Sequence, residues 1–135
     1  MITGTPHTRV SGIMTRPVLT IETGETLRDA WQLMFVSGLR HLVVLDDEGI
    51  PIGVLSDRAV LADSSSTRNH WGDLLVRDVL ARVPRASIHR DSTAQEAAHE
   101  MSVLAVEALA VTEEGGRLEG ILTESDVVRW VGTAA

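Results

Sequence analysis

Two heptapeptides carry residue types suited to holding a molecule rich in hydroxyls or phosphates: GILTESD (120–126) and GVLSDRA (53–59). In each, an apolar pair is followed by a small hydroxyl residue, Thr123 or Ser56. Three positions on, the first has a carboxylate, Asp126, where the second has Ala59. A carboxylate on the first turn of a helix can accept hydrogen bonds from both hydroxyls of a vicinal diol. The hydroxyl residue at a strand end can bond a sugar or phosphate oxygen, and free N–H groups at a helix start favour phosphate. The spacing Thr123-x-x-Asp126 is also close to a capping box, which needs no ligand. The two roles can coexist.

Composition removes other chemistries. The 135 residues include no Cys, so disulfides, thiolate metal sites and cysteine nucleophiles are excluded. The His residues (His7, His41, His70, His89, His99) have no metal-ligand spacing, and no metal site is expected. With no G-x-S-x-G, P-loop or G-x-G-x-x-G motif, an enzyme is not expected either. The net charge is −7 and all 12 basic residues are Arg. Such a surface argues against a nucleic acid backbone as partner. A few Arg held in one cleft would still suit a small anion, because the guanidinium fork grips phosphate in bidentate fashion. Arg40 and His41, just ahead of an apolar run, are candidates for phosphate contact, whereas Arg58 fits a solvated helix face. No apolar run approaches the ~18 residues of a membrane span. The opening MITGTPHTRV lacks the apolar core of a signal peptide, so a cytoplasmic location is expected.

The elements that must position these residues are repeated. At an offset of 67, Ile21 falls on Ile88, Thr26 on Thr93, Ala30 on Ala97, Met34 on Met101, Val44 on Val111 and Gly53 on Gly120. Upstream, VSGIM (10–14) matches VRDVL (76–80) at an offset of 66. Each copy predicts a short strand, PVLTI (17–21) or RASIH (85–89), then a helix opened by Thr26-x-x-Asp29 or Thr93-x-x-Glu96, both of capping-box form. Leu27, Ala30, Trp31 and Met34 make one apolar helix face; Ala94, Ala97, Ala98 and Met101 make its slimmer counterpart. A hairpin follows, LVVL (42–45) with PIGVL (51–55), or LAVT (109–112) with LEGIL (118–122), turning at Gly49 or Gly116. Closing helices start at Ser56 and Thr123. The Ser-rich stretch 61–72, with Trp71 as an anchor, joins the copies, and 73–80 reads as a lead-in helix. A three-stranded sheet is marginal alone. The expected fold is therefore α+β, two β-α-β-β-α repeats packed through their sheets around a pseudo-twofold axis.

This layout resembles a tandem of CBS domains, the Bateman module. The resemblance rests on VSGIMTRPVLTI (10–21), GLRHLVVLDDEG (38–49) and the motif G-h-x-[S/T]-x-x-D, complete in GILTESD and broken at Ala59 in GVLSDRA. It divides the chain into a tail (1–9), a first repeat (10–62), a linker (63–75) and a second repeat (76–132). It implies a regulatory module that binds AMP, ADP, ATP or S-adenosylmethionine in clefts shared between repeats, with no cofactor required. It also implies a homodimer and a regulated partner protein, for which the Ala face of the second repeat (Ala94, Ala97, Ala98) and Trp130 are the candidate dimer contacts. Carried over residue by residue, one site combines Ile121, Thr123 and Asp126 with Thr20, Leu39, Arg40 and His41. The other combines Val54, Ser56 and Ala59 with Ser87, Val106, Glu107 and Ala108. The second lacks the diol acceptor and has an acid, Glu107, where the first has Arg40, so one intact site is expected. The alternative is a structural module without a ligand, acting by dimerisation or by docking a partner.

Overall fold

The computed structural model describes residues 7–66, 74–81 and 85–133. Two three-stranded sheets alternate with helices in an α+β arrangement. The first sheet holds β1 (Thr20–Glu22), β2 (His41–Leu45) and β3 (Pro51–Ser56); the second holds β4 (Ser87–His89), β5 (Ala108–Thr112) and β6 (Leu118–Thr123). In each, the short first strand runs parallel to the middle one, and the hairpin partner is antiparallel. The helices are α1 (Leu27–Ser37), α2 (Asp57–Ser66), α3 (Val76–Leu80), α4 (Ala94–Leu104) and α5 (Glu124–Gly132). Among the described residues no helix is long and apolar enough to cross a membrane.

Local chemistry sets the helix starts. Thr26 and Thr93 accept the N–H of Asp29 (3.1 Å) and Glu96 (3.0 Å), whose carboxylates accept the N–H of Thr26 (3.3 Å) and Thr93 (3.0 Å). Both expected capping boxes are formed. At the other end, α1 stops at Gly38 with φ +74°, while α4 stops at Ala105, which takes φ +56° without being glycine.

Several sequence boundaries shift. The first strands begin at Thr20 and Ser87, later than expected, although the carbonyls of Leu19 and Ala86 already accept from Val43 and Ala110. The Ser run expected as linker is helical as far as Ser66, since Ser is tolerated in a last helical turn. The lead-in helix is shorter than 73–80, because Leu75 is extended and donates its N–H to the Asp78 carboxylate at 3.0 Å. Trp71, His70 and the rest of the expected linker up to residue 73 lie outside the described residues.

The chain forms two compact units, one of Leu19–Arg85 and one of Met1–Val18 with Ala86–Ala135. The cut therefore crosses the sequence repeats: the segment ahead of β1 belongs with the second sheet, and α3 belongs with the first. The first unit's core joins Ile21, Leu27, Ala30, Met34, Leu42, Val44, Leu55, Val60, Val76 and Val79. The other core joins Val10, Ala86, Ala97, Met101, Leu109, Val111 and Leu122. Val10 occupies in one what Val76, its repeat counterpart, occupies in the other.

The motif glycines explain this attachment. A Cβ on Gly53 would lie 2.8 Å from Leu80 Cδ1, and one on Gly120 would lie 2.8 Å from Met14 Sδ and 3.0 Å from the Thr15 carbonyl oxygen. Met14 and Leu80 are repeat counterparts. The first letter of each motif is thus glycine so that the lead-in segment can lie against the hairpin.

Candidate functional site

Among the described residues Asp126 is the one buried polar side chain, with 2% of its surface exposed. Its position follows from the turn of β6 into α5. Thr123 ends the strand with extended geometry, and its hydroxyl accepts the Asp126 N–H at 3.3 Å. Asp126 Oδ2 accepts the Thr123 N–H at 3.0 Å, completing the capping box. Its remaining capacity is also used. The Thr15 hydroxyl points at both oxygens, 2.9 Å from Oδ1 and 3.1 Å from Oδ2, and Arg129 Nη1 reaches Oδ1 at 3.1 Å. A carboxylate offers about four acceptor positions. All are engaged.

Thr15 is the residue that sequence reasoning missed. It is held as an extra rung on the outer edge of β6, where its N–H donates to the Ile121 carbonyl (2.8 Å) and its own carbonyl accepts from Ile121 N–H (3.1 Å). Thr15 directly follows the matched stretch 10–14. At the offset of 66 its counterpart is Ala81. The unit of Leu19–Arg85, which holds both Ala59 and Ala81, therefore lacks the hydroxyl together with the carboxylate.

The residues expected beside Asp126 fall as follows. Ile121 is buried in β6, opposite Ala110. Thr20 is exposed on β1 beside Val43, and Leu39 is partly exposed just ahead of β2. His41 opens β2 opposite Ser56 and is half-buried. Arg40 is 73% exposed, with Nε 3.4 Å from Asp57 Oδ2. Thr20 also lines a cleft of about 590 Å³ with Glu22, Glu25, Asp29 and Leu33. The hydrogen bond between the carboxyls of Glu25 and Asp29 raises the pKa of Glu25 above the usual glutamate value. Asp29 is held below its usual range, first by the Thr26 hydroxyl and then by the Thr26 N–H. This cleft is acidic and gives a phosphate no support.

In the second set, Ser56 caps α2 by accepting the Ala59 N–H at 3.1 Å. Ala59 packs against the core of its unit, and Val54 is half-buried opposite Val43. Ser87 is exposed on β4, Ala108 is buried, Val106 packs against its core, and Glu107 is half-buried. One backbone bond recurs in both repeats: Asp57 N–H to the Arg40 carbonyl, and Glu124 N–H to the Glu107 carbonyl, each at 3.0 Å. Where the first repeat puts Arg40 against Asp57, the second has two acids, Glu107 and Glu124.

Of the alanines expected as a dimer face, two are not available for one, and Ala98 is half-buried. Ala94 and Ala97 are fully buried in their own unit, because small residues there let α4 approach its sheet. Among the described residues the exposed large apolar side chains are Phe35 (79%) and Val36 on α1, Leu39 ahead of β2, Leu61 on α2, Val103 on α4, and Val128 and Val131 on α5. Val36 and Val103 are repeat counterparts, as are Leu61 and Val128.

Comparison with known proteins agrees with this geometry. The CBS domain family model matches residues 10–65 and 72–133. A homoserine O-acetyltransferase of Methanococcoides burtonii is 32% identical over 130 residues, covering 93% of this chain and 25% of that protein. The chain thus spans a quarter to a third of the length of the first curated relatives it matches. Among solved structures, the CBS domain protein TA0289 of Thermoplasma acidophilum, of unknown function, is 30% identical with a TM-score of 0.80, over 90% of this chain and 67% of that one. CBSX2, solved in complex with AMP, is 25% identical with a TM-score of 0.69, over 90% of this chain and 94% of that one. Matched over both repeats and most of its length, this chain belongs to the CBS domain family.

Proposed function

We propose that the chain is a ligand-sensing regulatory module, not a catalyst, that binds one adenosine-containing molecule (AMP, ADP, ATP or S-adenosylmethionine) at the site owned by Asp126. The observation that carries this reading is the buried carboxylate at the head of α5, present in one copy of the motif and replaced by Ala59 in the other. CBSX2, a relative with an AMP complex, supports the ligand class. In this reading Asp126 takes the ribose diol and Thr123 a neighbouring oxygen, while Ile121, Thr20 and Leu39 border the base and sugar. Arg40 and His41 meet the phosphate. The Arg40–Asp57 bridge is long and exposed, of a kind that contributes about 0–1 kcal/mol, so Arg40 is readily drawn away to an anion. Val54, Ser56, Ala59, Ser87 and Glu107 form a degenerate second site. The exposed apolar residues of α1, α4 and α5 are the surfaces through which the chain forms a homodimer.

A second reading, a ligand-free interaction module, is favoured by the three donors within the chain that Asp126 already accepts from. A thermal-shift and calorimetry panel with adenosine, AMP, ADP, ATP and S-adenosylmethionine separates the two. A ligand at 100 times its Kd stabilises by about 2.7 kcal/mol, a readily measured rise in Tm. No shift with any of them selects the second reading.

A further inference from the structure

Thr15 lies across Asp126. The threonine is exposed and the carboxylate beneath it is not. Its single hydroxyl proton is shared between two oxygens, at 2.9 and 3.1 Å. The other donors are unequal: the Thr123 N–H is fixed by the helix start, whereas Arg129 is a largely exposed side chain. A vicinal diol brings two protons, one for each oxygen, to the place that Thr15 serves with one.

Resting on the function proposed above, we infer that Thr15 is a built-in competitor for the ligand's diol. Ligand binding displaces its hydroxyl from Asp126 and loosens the segment that carries it. That segment is well placed to respond. Val10 anchors it in the core and Met14 lies against Gly120, while the two backbone bonds to Ile121 hold Thr15 on an outer sheet edge. Ligand occupancy is thereby reported to residues 13–16, ahead of β1. The unit of Leu19–Arg85 has no such latch, since Ala81 and Ala59 stand at the two positions.

The test measures adenosine and AMP affinity of the full chain and of Thr15→Val, which keeps the shape and removes the donor. A hydrogen bond to a charged group is among the stronger ones, but part of its contribution is lost as the vacated carboxylate finds water. Removing the competitor is therefore expected to tighten both ligands by about 3- to 30-fold. Thr15→Ser, which restores the donor, is expected to restore the weaker binding. If Thr15→Val does not fold, amide exchange on the unaltered chain decides: the Thr15 N–H is expected to exchange faster with AMP bound. Weaker or unchanged binding by Thr15→Val, or slower Thr15 exchange with AMP, overturns the competitor role and leaves the proposed function standing. Absence of adenosine and AMP binding in both proteins overturns the two together.

Discussion

The two repeats share backbone and differ in a few side chains, and the differences come in linked pairs. Asp126 with Thr15 faces Ala59 with Ala81, and Arg40 with Asp57 faces Glu107 with Glu124. A carboxylate buried without donors costs several kcal/mol, so the hydroxyl and the carboxylate are present or absent together. The comparison teaches that the motif has two layers. Gly120 and Thr123, like Gly53 and Ser56, are explained by packing and capping in both copies. Asp126 is the layer that only one copy has.

Breaking that layer gives the largest expected effect. Asp126→Ala leaves the Thr15 hydroxyl, the Thr123 N–H and the Arg129 guanidinium without their acceptor. Unfolding by urea is expected to show a loss of about 2–4 kcal/mol, combining a lost cap with lost bonds to a charged group. Ala59→Asp in the other repeat is expected to create no comparable gain, because no hydroxyl stands at Ala81 to receive the new carboxylate. A stability loss in Asp126→Ala no larger than the ~1 kcal/mol of a cap alone would show that the Thr15 contact contributes nothing.

A second contrast concerns the motif glycines. In Gly120→Ala the new methyl meets the Thr15 backbone oxygen as well as Met14, whereas in Gly53→Ala it meets the flexible end of Leu80. Overpacking typically costs about 1–3 kcal/mol. Gly120→Ala is expected near the upper end and Gly53→Ala near the lower, as read from denaturation midpoints. A third and smaller contrast lies at the helix ends. Ala105 sits in the left-handed region that Gly38 occupies in the first repeat. Ala105→Gly is expected to stabilise by about 0.5–1 kcal/mol and Gly38→Ala to destabilise by a similar amount.

The smallest effect expected is a pH dependence. Glu96 is held below the ordinary glutamate value by the Thr93 N–H and then the Thr93 hydroxyl. Its folded-state pKa is depressed, so its contribution is complete above the ordinary value and is lost as the pH falls through the folded-state one. Glu96→Gln is expected to flatten the acid side of the Tm–pH curve slightly. A curve parallel to that of the unaltered chain would remove Glu96 from the account.

What the sequence discloses is what depends on near neighbours. Thr26-x-x-Asp29, Thr93-x-x-Glu96 and Thr123-x-x-Asp126 declare their caps within one helical turn, and Gly49 and Gly116 declare their turns by positive φ. The repeat then assembles these into two sheets. Thr15 stayed hidden because 111 residues separate it from Asp126 and no local pattern links them. The Ala face of α4 misled for a different reason: small residues at helical spacing fit an outside partner and an inside sheet equally well, and here Ala94 and Ala97 pack inward. The Ser run to Ser66 has the composition of a loop but continues α2.

The asymmetry of the repeats is the central claim, and stoichiometry tests it most directly. Calorimetric titration of the unaltered chain with AMP is expected to saturate at about one ligand per chain, with binding abolished or greatly weakened in folded Asp126→Asn. Saturation at two ligands per chain, or undiminished affinity in folded Asp126→Asn, would contradict it.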